Sequence, residues 1–462
     1  MRFVATILAV LVCWAPVYGA DALAERVRGY VQASDASGRS SAADQIRAGF
    51  PRLTDAELSD ALHRAAHFEA YQPGEQTFAI TLEDQTARTV FVRVPKNYSP
   101  QRAWPIILAY HGTGGGGHDL IGPIARLFGD DAENYLIAGI DQYQPNNVDS
   151  KRSWRPEYRL VIQSLKSHFN IDSGRVYATG FSGGGYVAWS MAIFYGDEIA
   201  ASIPVASAFD AAPEIPGMWE MLLPNVSNTP VLNVWGSNDR LAVLGIDLQT
   251  PQGTNHELNQ KLIPIAKKMN LPITSYIVKG GGHSFEPPRD LMLQMLKKTR
   301  LNYPREISKR FRYLNQARAD WIEGLSWDGD QWGLGRRELP DVPGQSREQA
   351  IAQMLEATLG SIHGKVEAQD ISISFSHLGE LAIWFGESMI DWSKPIRVSA
   401  NGKIVFEGMI ERDVRIALSQ AMRTRDFDRI RWAGLKISKD RTAKLIDPET
   451  DDLPAIVWEK PK

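Results

Sequence analysis

The sequence predicts an α/β fold: a doubly wound, mostly parallel sheet with an N-terminal helical extension and a C-terminal β-sandwich-like domain. Three observations carry this expectation. Short continuous apolar runs such as Trp104–Tyr110 and Pro230–Trp235 lack the alternation of half-exposed strands and read as strands buried on both faces. Between residues 104 and 298 such runs alternate with stretches of helical spacing, the pattern of a parallel sheet joined by crossover helices. Finally, the pentapeptide Gly180-Phe181-Ser182-Gly183-Gly184 sits where a β-rich run, Arg175–Thr179, meets a helical one, Tyr186–Tyr195.

At 462 residues the chain is long enough for two or three cores. A net charge of −3 implies no polyanion-binding surface, so no nucleic-acid partner is expected. Short cationic runs such as Lys297–Arg300 read as solvated helix faces. Residues 1–22 have the pattern of an export signal: Met1-Arg2 is charged, Phe3–Trp14 is apolar, and Gly19, Ala20 and Ala22 are the small residues of a cleavage site. Pro16 breaks the run and argues against a membrane anchor. The only cysteine, Cys13, falls inside this segment, and Val12 before it does not suit lipoprotein processing. Disulfide and thiolate chemistry are therefore excluded from the processed chain. No later stretch suits a membrane span.

Taken in order, residues 23–72 read as a helical extension. Leu23–Val31 and Thr54–Leu62 have helical spacing, and Thr54 with Glu57 forms a capping box. A domain over 73–303 follows. It opens with two alternating runs, Thr77–Leu82 and Thr89–Val94, which predict an antiparallel hairpin. Buried strands are then expected at Trp104–Tyr110, Tyr135–Ile140, Arg175–Thr179, Ala200–Ala206, Pro230–Trp235 and Ile273–Val278. Helices are expected at Ile121–Phe128, Arg155–Phe169, Tyr186–Tyr195, Asn255–Met269 and Arg289–Lys298. Over 304–462 short strands recur at Arg312–Asn315, Asp320–Leu325, Ile371–Phe375, Glu380–Trp384, Ile396–Ser399, Ile404–Phe406 and Val414–Leu418, the spacing of a β-sandwich. Gly333–Arg347 reads as a loop, and Asn401-Gly402 as a hairpin turn.

The pentapeptide puts Ser182 in a tight strand-to-helix turn, where flanking glycines let strand and helix approach. A serine hydroxyl needs a base to attack at neutral pH. His283, in Gly280-Gly-Gly-His-Ser-Phe285, directly follows the last buried strand, at the sheet edge where α/β sites lie. Asp239, after the preceding strand, supplies the acid in the order Ser, Asp, His. Asp210 competes for that role, and Asp247 is a more distant alternative. Gly183 and a residue of the loop His111-Gly-Thr-Gly-Gly-Gly-Gly117 offer backbone N–H groups for an oxyanion hole; Thr113 is the first choice, Gly114 the second. No Gly-Lys-Ser/Thr ending follows this loop, so it is not a phosphate cradle. His256-Glu257 lacks the second histidine of a zinc helix, and Asp328-Gly-Asp330 the other ligands of a calcium loop, so no metal is expected. Asn97-Tyr-Ser99 and Asn225-Val-Ser227 match glycosylation sequons, a pattern that arises by chance as often as not.

These pieces, over residues 75 to 300, resemble an α/β-hydrolase of the secreted esterase type. The group is that of poly(hydroxyalkanoate) depolymerases, feruloyl esterases and prolyl-oligopeptidase-like enzymes. The resemblance implies an acyl-enzyme mechanism on carboxylic esters and no cofactor. The lack of cysteines departs from many extracellular depolymerases of the group. Ala208–Asn228, with Met218, Trp219, Met221, Leu222 and Leu223, reads either as a cap over the substrate pocket or as core packing; Trp154 is a candidate cleft residue. A small-molecule or polymer-linked ester is the expected partner. The same triad also cleaves amides, and a non-catalytic binding protein on this frame is the third reading.

Overall fold

The unbroken apolar run Trp104–Tyr110 has no face to offer to water, and in the computed structural model all seven residues are buried in the middle of a sheet. The structure describes residues 15–81, 87–141, 157–209, 221–240, 242–243, 246–247, 254–329, 344–448 and 450–451. Phe3–Trp14 of the expected export signal, Trp154, Asp210 and most of the Ala208–Asn228 insertion lie outside these residues. No described helix is long and apolar enough to cross a membrane.

The chain divides into two compact units, with the boundary between His67 and Phe68. The first contains three helices, α1 (Ala15–Gln32), α2 (Ala36–Gly49) and α3 (Asp55–Ala65). Leu23, Val27 and Tyr30 of α1 are buried, as are Ile46 of α2 and Leu58 and Leu62 of α3. Their spacing of three to four residues gives each helix one apolar stripe. The expected capping box is present: the Thr54 hydroxyl accepts from Glu57 N–H, and the Glu57 carboxylate accepts from Thr54 N–H.

The second unit is built around an eight-stranded sheet. Its strands are β1 (Gly74–Thr81), β2 (Ala87–Val94), β3 (Trp104–Tyr110), β4 (Leu136–Ile140), β5 (Ile171–Phe181), β6 (Ala201–Val205), β7 (Val231–Gly236) and, after the two-residue pair β8 (Ala242–Val243) and β9 (Ile246–Asp247), β10 (Ile273–Val278). The order is β1-β2-β4-β3-β5-β6-β7-β10. β1 and β2 form the expected antiparallel hairpin, β2 runs antiparallel to β4, and the six strands from β4 to β10 are parallel. Side chains on alternate positions feed two cores. One face carries α4 (Ile121–Phe128) and α8 (Arg289–Met295); the other carries α5 (Glu157–His168), α6 (Gly183–Tyr195) and α7 (Asn255–Lys268). This is the doubly wound α/β arrangement. Helix α6 is buried at every position but Tyr186, which is why its sequence is apolar all round.

Beyond residue 303 two five-stranded sheets, β11-β14-β15-β17-β18 and β12-β13-β16-β19-β20, enclose one apolar core. Their strands are β11 (Glu306–Phe311), β12 (Arg318–Ala319), β13 (Ile322–Trp327), β14 (Gly360–Glu367), β15 (Asp370–Ser376), β16 (Leu378–Phe385), β17 (Ile396–Ala400), β18 (Lys403–Gly408), β19 (Ala433–Ser438) and β20 (Ala443–Leu445). Asn401 and Gly402 both have positive φ between the paired residues Ala400 and Lys403, as a two-residue hairpin requires.

Two expectations fail here. Arg312–Asn315 is not a strand: β11 ends at Phe311 and a short 3-10 turn follows at Leu314–Gln316. Val414–Leu418 is the start of a helix, α10 (Val414–Thr424), because Asp413 caps it by accepting from Arg415 N–H at 2.8 Å. Residues 333–343 of the expected Gly333–Arg347 loop are outside the described residues; residues 344–346 are non-helical, and at Arg347 a helix not foreseen in the sequence begins, α9 (Arg347–Thr358), started by a Ser346/Gln349 capping box.

Helix α6 ends in a buried ionic cluster. Asp197 and Glu198, in the turn after it, pair with Arg159 of α5 and Arg318 of β12 at 3.1–3.2 Å. Lys309 of β11 donates to the Phe194 carbonyl at 2.7 Å, a cation at the negative end of the helix. Arg300 and Asp426 pair at 2.8 Å, both buried.

Candidate active site

The four expected site segments all emerge at the carboxyl edge of the sheet, from β3, β5, β7 and β10. That edge is where a parallel sheet leaves loops free to converge. Ser182 directly follows β5 with φ 52° and ψ −116°, a backbone setting that L-residues avoid. It is held there by Ser182 N–H donating to the Val205 carbonyl at 3.0 Å, and by α6 starting at the next residue. Only glycine fits at Gly184, where a Cβ would lie 1.9 Å from the Tyr110 carbonyl oxygen, and at Gly180, where it would lie 2.1 Å from the Gly184 carbonyl oxygen. The flanking glycines thus answer to close backbone approach, as the motif suggested.

The loops after β7 and β10 are laced together. Asn238 N–H donates to the Gly281 carbonyl at 2.8 Å, Ser237 N–H to the Val278 carbonyl at 3.0 Å, and Gly280 N–H to the Ser237 hydroxyl at 2.8 Å. This lacing aligns Asp239 with His283. The His283 Nδ1 to Asp239 Oδ1 distance is 2.9 Å, and His283 Nε2 to Ser182 Oγ is 2.8 Å. A carboxylate can only accept, so Nδ1 carries the proton. Nε2 is then the free lone pair, and the Ser182 hydroxyl donates to it. Asp239 is fully buried, Ser182 nearly so, and the imidazole is partly open to solvent. The Phe181 ring lies 5.1 Å from the imidazole, centroid to centroid, and borders it.

Thr113 and Gly183 also come together. A Cβ on Gly183 would meet the Thr113 hydroxyl at 2.5 Å and the Thr113 backbone nitrogen at 3.1 Å. Gly183 N–H is one of the unpaired donors at the start of α6, where the helix dipole favours negative charge. Gly114 has φ 82° and provides the turn after Thr113, closed by Gly115 N–H donating to the Gly112 carbonyl at 3.0 Å. Such a constellation can transfer a proton from hydroxyl to imidazole, hold the resulting imidazolium beside a buried carboxylate, and offer N–H donors to a negative oxygen next to Ser182.

Of the competing acids, Asp210 is outside the described residues and only the backbone of Asp247 is described, in β9. Leu222 and Leu223, at the described end of the insertion, are fully buried in the core on the α5–α6–α7 face. Asn225 of the second sequon is buried, its amide donating to the Ile193 and Arg310 carbonyls. Among the described residues no group of three His, Asp or Glu is arranged to hold a metal ion. Two residues near the site went unread in the sequence, Asn255 and Tyr186, which meet at 2.9 Å beside Asp239. The Thr254–Glu257 capping box, which fixes where Asn255 begins α7, was the available signal.

No family model matches the chain. A curated relative, poly(3-hydroxyalkanoate) depolymerase C of Paucimonas lemoignei, is 25% identical over 111 residues, which are 24% of this chain and 26% of that protein. The chain thus spans about a quarter of the length of the curated relative it matches. Among solved structures, a thermostable esterase is similar with a TM-score of 0.38 at 16% identity, over 49% of this chain and 63% of that one. A dipeptidyl aminopeptidase IV homologue of Bacteroides ovatus has the same TM-score at 15% identity, over 50% of this chain and 36% of that one. Other similar solved structures include feruloyl esterases, a fluorophosphonate-binding serine hydrolase of Staphylococcus aureus and a dipeptidyl peptidase 4 of Porphyromonas gingivalis, at 14–15% identity and TM-scores of 0.33–0.37.

Proposed function

We propose that the chain is a serine hydrolase that cleaves carboxylic esters through an acyl-enzyme, with Ser182, His283 and Asp239 as its triad. The observation that carries this is the unbroken hydrogen-bonded chain from Ser182 Oγ through both imidazole nitrogens to a buried carboxylate. Ser182 Oγ attacks the ester carbonyl as its proton passes to His283 Nε2. Asp239 holds the ring in the required tautomer and stabilises the imidazolium. Gly183 and Thr113 N–H groups take the oxyanion, each worth about 2.7–4 kcal/mol in comparable sites. His283 then protonates the departing alcohol, and water repeats the sequence to free the acid.

Export through the N-terminal segment and action on esters borne by a polysaccharide belong to the same proposal. So does the reading of residues 23–72 as a helical extension, 73–303 as the catalytic domain and 304–462 as a β-sandwich-like accessory domain. A fluorophosphonate probe tests the chemistry: wild-type protein is expected to label and Ser182→Ala is not. Equal labelling of the two, or none of the wild type, sinks the serine-hydrolase reading and leaves a binding protein. Short acyl esters are expected to give a higher kcat/KM than aminoacyl amides; the reverse order would make the chain a peptidase.

A further inference from the structure

The carboxylate of Asp239 has a second neighbour besides His283. Asn255 Nδ2 lies 3.4 Å from both Asp239 oxygens and 3.2 Å from the Ala206 carbonyl oxygen, while Asn255 Oδ1 accepts from the Tyr186 hydroxyl at 2.9 Å. The chemistry of these partners allows one orientation of the amide. Its NH2 faces three acceptors, and turning it over would set a carbonyl oxygen against a carboxylate. Asn255 is 2% exposed and Asp239 0%, so no bulk water competes for these groups.

Both ends of this link are fixed by the fold. Asn255 is the first residue of α7, whose start is set by the Thr254–Glu257 capping box, and the next N–H, of His256, points to the Asp239 carbonyl at 3.4 Å. Tyr186 lies one turn into α6, its N–H donating to the Ser182 carbonyl at 3.2 Å. The contacts therefore close a ring: Ser182, His283, Asp239, Asn255, Tyr186 and back to Ser182. At 3.4 Å the amide contacts are long, so their effect is on the orientation of the carboxylate plane more than on binding strength.

We propose that Asn255 is a positioning residue that holds Asp239 toward His283, and that Tyr186 in turn holds Asn255. This rests on the triad reading above. Asn255 bridges the two carboxylate oxygens and leaves Oδ1 aimed at the imidazole. Tyr186 ties that alignment to the helix that carries the nucleophile.

The test compares wild type, Asn255→Leu, Asn255→Asp, Tyr186→Phe and the Asn255→Leu/Tyr186→Phe double variant. Each is measured for ester kinetics across pH, fluorophosphonate labelling and urea stability. Asn255→Leu is expected to lower kcat about 10- to 100-fold, the scale of a small misplacement of catalytic groups, with KM nearly unchanged. Asn255→Asp adds negative charge beside Asp239 and favours the imidazolium, so the acidic limb of kcat/KM moves to higher pH. Tyr186→Phe gives a smaller loss in the wild-type background and none once residue 255 is Leu, since the two act through one path. Wild-type kcat in Asn255→Leu, an unmoved acidic limb in Asn255→Asp, or additive losses in the double variant would overturn the proposal while leaving the triad standing. Should Asn255→Leu not fold, the Asn255→Asp and Tyr186→Phe results decide. Wild-type protein that neither labels nor turns over would instead sink the triad reading itself.

Discussion

Ser182 is held at φ 52° and ψ −116°, a setting that costs an L-residue about 1–3 kcal/mol and costs glycine almost nothing. Replacing it in two ways separates that strain from the lost hydroxyl. Ser182→Ala and Ser182→Gly both remove Oγ and its 2.8 Å contact with His283, so their difference reads the backbone alone. Glycine loses more conformational freedom on folding than alanine, by about 0.4–1 kcal/mol. The remainder leaves Ser182→Gly more stable than Ser182→Ala by about 1 kcal/mol. Urea denaturation of the two variants side by side measures it. Ser182→Gly equal to or less stable than Ser182→Ala would refute the claim that the fold holds Ser182 against backbone strain.

Other outcomes follow from the same geometry. Asp239→Asn is expected to lower kcat/KM by about 10⁴-fold by trapping the wrong imidazole tautomer; near-normal rates in it, with Asp210→Asn inactive, would move the acid to Asp210. The proposed oxyanion role of Thr113 uses its backbone N–H, so Thr113→Ala should stay within a few-fold of wild type while Thr113→Pro, which lacks the donor, loses about 10²–10³ in kcat; equal rates would exclude Thr113 from the oxyanion hole. Asp197→Asn removes a charge that faces Arg159 and Arg318 in the interior, and denaturant unfolding should report a loss of about 3–5 kcal/mol. Burial alone would push the Asp197 carboxyl up, but Arg159 and Arg318 outweigh it and bring it down to about 2. Because its folded value lies below the unfolded one of about 3.9, its contribution is complete above that pH and is lost as pH falls toward 2. Stability that held flat between pH 4 and 2 would contradict this.

The central sheet was legible because its strands are uniform. A run such as Trp104–Tyr110 has one possible environment, and the six parallel strands and their helices lie within a few residues of where the sequence puts them. The proximity of Ser182, Asp239 and His283 was legible because each follows a readable strand. What periodicity could not reach was the region where large residues and glycines complement each other within and between sheets. β14 is absent from the expected strands, and Gly360 and Gly364 interrupt its apolar pattern. Their missing side chains make room for Phe311 and Trp321, which a Cβ would approach to 2.2 and 2.6 Å. Val414–Leu418 misled for a related reason. Its β-branched residues favour a strand, yet Val414, Ala417, Leu418 and Ala421 form one helical stripe, and all four are buried. The Thr254–Glu257 capping box marks Asn255 as a helix start, but its contact with Asp239 is made by segments that meet only in the fold.

The most direct test is to quench the reaction with a short acyl ester in its first turnovers and map the protein by peptide mass spectrometry. The account predicts the mass of the acyl group on the peptide that contains Ser182, accumulating further in His283→Ala only if acylation still occurs there, and absent in Ser182→Ala. An acyl group on another residue, or ester cleavage that persists at the wild-type rate in Ser182→Ala, would contradict it.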